Sequence, residues 1–152
     1  MIEIETLTPQ DRETLVTLVE DANEKLEQAG QSGANYAFNL GCTVGLIPAI
    51  GIVLVTFIFS RGSWVMAAVA GLLMILAILV FANLVASIAK SRSIDRTYQI
   101  NVNPEIERTI KGMAVPRLSF NSLAWEVLPE GAVLRSFLPV PPSTDAESPE
   151  EP

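Results

Sequence analysis

Between Tyr36 and Ala89 the sequence contains a single charged residue, Arg61, near the middle of the stretch. A helix needs about 20 apolar residues to cross a bilayer, so the stretch is long enough for two crossings joined by a short turn. A buried hairpin in a soluble protein would need a large protein around it, and the rest of the chain supplies none. The sequence therefore predicts two transmembrane helices, 34–60 and 63–90, joined by a tight turn at 61–62.

Basic residues predict how these helices are oriented. Lys25 precedes the first helix, and Lys90, Arg92 and Arg96 follow the second, whereas the turn between them carries only Arg61. Cytoplasmic loops are enriched in Lys and Arg. We therefore expect both termini on the cytoplasmic side of a bacterial inner membrane or of an equivalent organellar membrane. The acidic N-terminal residues lack the basic and then apolar order of a signal peptide.

The first predicted membrane helix carries two ladders of residues, each with a step of four. One ladder consists of small residues and includes the GxxxG of Gly41 and Gly45. The other is polar and consists of Asn35, Asn39 and Thr43. At about 100° per residue, the two ladders lie on nearly opposite faces. Small residues let two membrane helices approach closely, and the residues predicted to pack in this way are Ala37, Gly41, Gly45, Gly51, Gly71, Ala82 and Ala86.

The small and the polar faces cannot both lie between the two helices. We expect the small face there, and an Asn39–Asn83 hydrogen bond is the alternative. The polar face would then meet a neighbouring subunit, a cofactor or water, and we predict a partner-facing stripe of Asn35, Asn39, Thr43 and Asn83. A plainer interpretation is that Gly and Ala are common in membrane helices and that Asn near a boundary reaches the lipid headgroups. The pairs expected at equal depth are Ala37 with Ala86, Gly41 with Ala82, and Gly51 with Gly71.

The N-terminal segment, 1–33, predicts a soluble amphipathic helix followed by a hinge. Thr8 suits the N-cap of a capping box, and apolar residues recur at helical spacing over 9–29. The opposite face of this helix is acidic. It is either an ordinary solvated helix or one whose apolar stripe docks on a partner protein, since acidic charge disfavours lipid. Gly30 and Gly33 predict the hinge.

Beyond the second membrane helix, residues 91–138 predict a small mixed or irregular extension. Asn103 suits the N-cap, and Gly112 the C-cap, of a short helix. Two apolar runs flank a turn at 129–131, and one interpretation of them is a β-hairpin. So short a segment builds little core alone, so we expect it to lie on another surface. The acidic, Pro-rich tail at 139–152 predicts disorder.

The composition argues against several functional classes. The chain has no His and one Cys, Cys42, which excludes most metal sites and Cys–His nucleophiles. P-loop, dinucleotide-binding and zinc-protease motifs are absent, as are paired carboxylates within the apolar stretch. The formal net charge of −7 argues against nucleic acid as a partner. We therefore expect no enzyme activity, no cofactor and no nucleic-acid binding.

Together these features predict an all-α membrane protein. Its fold would be a two-span antiparallel transmembrane helical hairpin preceded by a soluble amphipathic helix, with a small mixed or irregular C-terminal extension. The expected function is that of a small non-catalytic subunit that packs against and stabilises a larger multi-subunit membrane complex, with other membrane-protein subunits and the lipid bilayer as partners. The alternative is a homo-oligomer that forms a pore or organises the membrane.

Overall fold

The computed structural model describes residues 8–140, which are largely helical and contain no strand. Beyond residue 140, the predicted tail lies outside the described residues. The described residues divide into two compact units. The first unit consists of 8–27 and 97–140, and the second consists of 28–96. The elements are α1 (Pro9–Phe59), α2 (Trp64–Thr97), a π-helical segment (Tyr98–Val102), α3 (Asn103–Gly112), α4 (Arg117–Val127) and a 3-10 helix (Val133–Phe137).

The start of α1 matches the sequence prediction. The backbone N–H of Asp11 donates to the hydroxyl of Thr8 at 3.2 Å, and that hydroxyl donates to the Asp11 carboxylate at 2.6 Å. The N–H of Arg12 donates to the Thr8 carbonyl at 3.0 Å. The N-cap at Thr8 is therefore confirmed, but the capping box is only half formed, because the Asp11 carboxylate accepts from the Thr8 hydroxyl and not from the Thr8 backbone N–H. The helix then continues without a break to Phe59, so the predicted hinge is wrong.

Gly30 and Gly33 permit close packing of α2 instead of forming a hinge. A Cβ built on Gly33 would lie 2.7 Å from the Cβ of Ser93, and one built on Gly30 would lie 2.9 Å from the Cδ1 of Ile94. At the same place the hydroxyl of Ser93 donates to the carbonyl of Ala29 at 2.8 Å. Glycine inside a helix costs roughly 0.5–1 kcal/mol relative to Ala, and here it allows the two backbones to approach.

The turn between α1 and α2 uses two left-handed residues, Arg61 with φ of 55° and Gly62 with φ of 81°. The N–H of Gly62 donates to the carbonyl of Phe57 at 3.0 Å, and the N–H of Arg61 donates to that of Ile58 at 3.2 Å. These two bonds are the Schellman pattern that ends a helix. The tight turn predicted at 61–62 is therefore present, and Ser63 then precedes α2.

The first unit buries the apolar stripe of α1. Four of its residues are 0–4% exposed, at the helical spacing that the sequence predicts: Leu15, Val19, Ala22 and Leu26. The other large buried side chains of this unit come from the C-terminal segment and include Ile106, Ile110, Phe120, Leu123 and Leu134. The stripe that we considered for a partner protein is therefore covered by the chain's own C-terminal segment. The C-terminal segment was expected to lie on another surface, and α1 provides that surface.

Polar contacts join the same parts of the first unit. They link α1 to α3, to α4 and to the 3-10 helix. The contacts join Arg12 to Glu126 at 2.9 Å, Lys25 to Glu105 at 2.8 Å, and the side-chain oxygen of Asn23 to the N–H of Leu134 at 3.1 Å.

The two apolar runs predicted as a β-hairpin are α4 and the 3-10 helix. The turn between them is present, since Gly131 has φ of +89°. Phe120, Leu123 and Ala124 are all buried, and this spacing is helical instead of alternating. The hairpin interpretation is therefore wrong, and the C-terminal extension is helical instead of mixed.

Both ends of α3 differ from the prediction. Asn103 lies within helical backbone, and its N–H donates to the carbonyl of Tyr98 because a π-helical segment joins α2 to α3. Its side-chain oxygen accepts a hydrogen bond from Arg117 at 3.1 Å instead of capping the helix. At the other end, Gly112 is the last helical residue, and Ala114 takes the left-handed conformation with φ of 54°.

Candidate interaction surfaces

The second unit exposes most of its large apolar side chains. By length and composition alone, two helices of the chain could cross a membrane, and only 6% and 11% of their most apolar windows are buried within the protein. The core helix of a soluble protein is mostly buried, so neither of these two apolar windows belongs to the core of this chain. The buried apolar residues of the unit are all alanines, namely Ala37, Ala49, Ala67, Ala82 and Ala86.

The two helices meet along a seam of small residues. A Cβ built on Gly41 would lie 3.2 Å from the Cα and the Cβ of Ala82, and one built on Gly45 would lie 3.0 Å from the Cγ1 of Ile78. Both distances are shorter than the optimal separation of about 3.5–4.0 Å between carbon atoms. Ala82 itself is fully buried. A residue larger than glycine at 41 would therefore have to displace α2.

Gly51 takes no part in this seam. A Cβ built on Gly51 would meet nothing within 4 Å, whereas one built on Gly71 would lie 3.7 Å from the Cγ2 of Val53. The ladder of small residues passes through Ala49 and reaches 53 at its next step. Gly51 lies about 200° around the helix from Ala49, on the outer face. The predicted pairing of Gly51 with Gly71 is therefore wrong, and Val53 takes the place of Gly51.

The seam follows steps of mostly four residues on both helices. This step exceeds the 3.6 residues of one helical turn, so the line of contact drifts around each helix. Repeats longer than 3.6 residues favour right-handed crossings, as do GxxxG interfaces between membrane helices. The spacing of the seam therefore resembles that of GxxxG interfaces between membrane helices.

The polar ladder lies on the face of α1 that α2 leaves uncovered. Asn35, Asn39 and Thr43 are all exposed. The hydroxyl of Thr43 donates to the carbonyl of Asn39 at 2.8 Å and is satisfied within the helix. Among residues 8–140, the side-chain amides of Asn35 and Asn39 have no hydrogen-bond partner. These two amides are the polar groups of this face that another molecule could satisfy.

Asn83 does not extend this ladder. It is exposed on α2, about 100° around that helix from Ala82. Within the described chain it makes no hydrogen bond with Asn39. Because the ladder of α1 faces away from α2, no residue of α2 can continue it. The four residues predicted as one stripe therefore form two separate features.

One feature was missed by sequence reasoning, an apolar groove of about 580 Å³ along one flank of the seam. It runs from Gly33 to Gly45 on α1 and from Phe81 to Ala89 on α2. The signal was present, because the large residues that line the groove each come one position before a small residue of the ladder. These large residues are Tyr36, Leu40 and Val44.

No known protein family, curated protein or solved structure matches the chain. Among the residues that the structure describes, no three His, Cys, Asp or Glu side chains are grouped as metal ligands. The seam, the polar ladder and the groove are thus the features of the second unit from which a function can be inferred.

Proposed function

We propose that α1 and α2 cross a membrane as an antiparallel helical hairpin, with both termini on the cytoplasmic side. We propose further that the protein is a small non-catalytic subunit that packs against and stabilises a larger membrane complex. The observation that carries this proposal is the polar ladder of α1, which is exposed and faces away from the chain's own second helix. The exposed apolar surface supports the membrane location, since each Å² of it costs about 25 cal/mol in water.

Depth in the bilayer decides which polar groups need a partner. The hydrocarbon core is about 30 Å thick, and each helical residue adds about 1.5 Å. If the core is centred on the apolar stretch of α1, Asn39 lies about 13 Å from the centre and Asn35 about 19 Å. Asn35 then reaches the headgroups, whereas Asn39 lies just inside the hydrocarbon. Asn39 is therefore the residue of the ladder for which a protein partner matters most.

The first unit strengthens the case for a partner within the membrane. Its apolar stripe is already covered by the chain itself, as the burial of Leu15, Val19 and Leu26 indicates. A partner therefore has to be bound mainly through the second unit, and the polar ladder favours the outer face of α1. Hydrogen bonds between membrane helices are worth about 0.6 kcal/mol on average and up to about 1.7 kcal/mol. One amide at Asn39 can thus select a partner by a few-fold to about twentyfold.

Crosslinking in native membranes tests this proposal. A photo-crosslinking amino acid is placed at Asn39 and, as a control, at Leu84. Leu84 lies at a similar depth, since Gly41 packs on Ala82, and it is exposed on the other helix. We expect an adduct with another protein at Asn39 and none at Leu84. Adducts at multiples of the chain's own mass would instead support the pore-forming or membrane-organising homo-oligomer.

Co-purification in a mild detergent gives an independent measurement. The substitution Asn39→Leu keeps the size of the side chain but removes its amide. We expect it to weaken retention of the partner by about 3- to 20-fold, the equivalent of one interhelical hydrogen bond. Leu84→Ala is the control and should leave retention unchanged. Full retention in the Asn39→Leu variant, with no protein adduct at this position, would refute the proposal.

A further inference from the structure

The groove beside the seam has a floor of small residues and walls of large ones. The floor includes Ala37, which is buried, and Gly41, which packs on the backbone of Ala82. The walls include Tyr36 and Phe81, whose side chains are 72% and 63% exposed. Such a groove, lined almost entirely by apolar atoms, fits a slender apolar ligand better than a polar one.

The length of the groove limits what can fill it. From Gly33 to Gly45 it extends about 18 Å along α1 at 1.5 Å per residue. One leaflet of a bilayer contributes about 15 Å of hydrocarbon, half of the core. A partner helix that crosses the membrane would run about twice that length. At the depths given above, the groove runs from the headgroups at Gly33 to about 4 Å from the bilayer centre at Gly45. The groove therefore lies within one leaflet and matches a single acyl chain that ends at its headgroup.

Positive charge lies at the headgroup end of the groove. Arg92 and Arg96 continue the face of α2 that carries Phe81, Val85 and Ala89, because the steps between these residues are three or four. Both arginines are exposed. Among the described residues, neither forms an ion pair, not even with the acidic residue at 95.

The arginines are also placed to reach back toward the groove. They lie about 4.5 Å and 10 Å beyond Ala89 along the helix axis. Side chains on a helix lean toward its N-terminus, and for α2 this is the direction of the groove. Guanidinium groups bind phosphate through paired hydrogen bonds. The end of the groove is therefore complementary to a phosphate that is attached to an acyl chain.

We propose that this groove holds one acyl chain of an anionic phospholipid whose phosphate is bound by Arg92 and Arg96. The inference rests on the proposed function, because the groove meets acyl chains only where α1 and α2 cross a bilayer. A second copy of the chain is a poorer occupant. Two copies with the same orientation would bring the unpaired arginines of both to the same depth, where like charges repel.

Two single-tryptophan variants of the full chain test the inference. Phe81→Trp places the probe in the groove, and Leu79→Trp places it about 160° around the same helix. Both are made in a background with Trp64→Phe and Trp125→Phe, which removes both native tryptophans. The proteins are reconstituted in phosphatidylcholine vesicles that contain phosphatidylglycerol or phosphatidylcholine with brominated acyl chains, at equal fractions.

We expect both brominated lipids to quench the Leu79→Trp probe equally. The Phe81→Trp probe should be quenched preferentially by brominated phosphatidylglycerol, with a preference of about fivefold for each arginine that contacts the headgroup. Arg92→Gln and Arg96→Gln should each lower this preference about fivefold. Arg61→Gln, at the other end of the helices, is the matched control and should leave it unchanged.

Each other outcome overturns the inference in a different way. Equal quenching of the Phe81→Trp probe by both lipids, or a preference unchanged by Arg92→Gln and Arg96→Gln, would mean that the groove selects no headgroup. Quenching of the Leu79→Trp probe alone would mean that protein, such as a second copy, covers the groove. If neither probe were quenched, the chain would not lie in the bilayer, and the proposed function would fail as well.

Discussion

Replacing Gly41 with isoleucine tests whether the seam holds α1 and α2 together. The Cβ of the new side chain would lie 3.2 Å from the Cα of Ala82, a backbone atom that cannot rotate away. Carbon atoms prefer separations of about 3.5–4.0 Å, so the Cβ alone forces the helices roughly 0.3–0.8 Å apart. The remaining carbons of isoleucine need more room. A gap of about 0.5–1 Å already forfeits a quarter to a half of each contact energy along the seam.

Overpacking of this kind typically costs about 1–3 kcal/mol, and we expect Gly41→Ile to lower the free energy of unfolding by that amount. The matched control is Gly51→Ile, in the same helix. A Cβ at Gly51 meets nothing within 4 Å, and the gain in helix propensity is the same in both variants. The control should therefore be neutral or slightly stabilising, by up to about 0.5 kcal/mol.

Unfolding can be followed in mixed micelles with increasing sodium dodecyl sulfate. In a Trp125→Phe background, Trp64 is the remaining tryptophan of the chain. Its ring lies 4.7 Å from that of Phe57 at the turn between the two helices, so its fluorescence reports on the second unit. Equal unfolding midpoints for Gly41→Ile and Gly51→Ile would refute the assignment of the seam.

Three further predictions concern the first unit. Gly112→Ala should stabilise it by about 0.5–1 kcal/mol, since Gly112 is helical and has open space around it. Gly131→Ala should destabilise it by about 1–2 kcal/mol because Gly131 has φ of +89°. Trp125 fluorescence in urea measures both changes, and shifts of the same sign would contradict this reasoning. A hydrogen bond from Lys25 to Glu105 raises the pKa of Lys25 above its usual value of 10.5. The pair therefore stabilises the fold below pH 10.5, and its contribution is lost as the pH rises through the raised pKa. The loss in the free energy of unfolding should be under about 1 kcal/mol, because the pair is exposed, and it should be absent in Glu105→Gln. Finally, a chain in which a Gly/Ser linker replaces 28–96 should fold cooperatively in water, which amide NMR dispersion would establish or refute.

Features that depend on neighbouring residues could be predicted from the sequence. The N-cap at Thr8 and the tight turn at 61–62 involve contacts within about one turn of chain, so the local sequence determines them. The register of the seam could also be predicted, because a tight turn fixes which positions of α1 and α2 lie at equal depth. Gly41 and Ala82 are such a pair, and the structure places them in contact.

Features that depend on rotation or on distant residues could not be predicted in the same way. Equal distance from the turn predicted a pairing of Gly51 with Gly71. However, Gly51 lies about 200° around α1 from Ala49, which places it on the outer face. Gly30 suits either a hinge or a close approach, and the choice depends on Ile94, more than sixty positions later. The stripe of α1 was likewise ambiguous, because the residues that cover it lie beyond position 100.

The sizes of the buried residues separate the two units by the kind of force that holds them. Every buried Leu, Ile, Val and Phe of the described chain lies in the first unit, and the buried apolar residues of the second unit are all alanines. Burial of large apolar side chains stabilises a fold in water. In lipid that driving force is absent between helices, and close contact of small residues replaces it. The second unit is thus held by close contact of small residues, which is what the proposed function requires of it.

The same division limits how a partner could be recognised. Among the described large apolar residues of the first unit, only Ile100, Leu118 and Val140 are strongly exposed, so this unit offers little apolar surface. The second unit offers a large apolar surface. In a bilayer, however, lipid covers an apolar surface as well as a protein does. Apolar contact alone would therefore not distinguish a partner subunit from lipid. On the proposed function, that selectivity has to come from polar groups at membrane depth, and Asn39 is the one best placed to supply it.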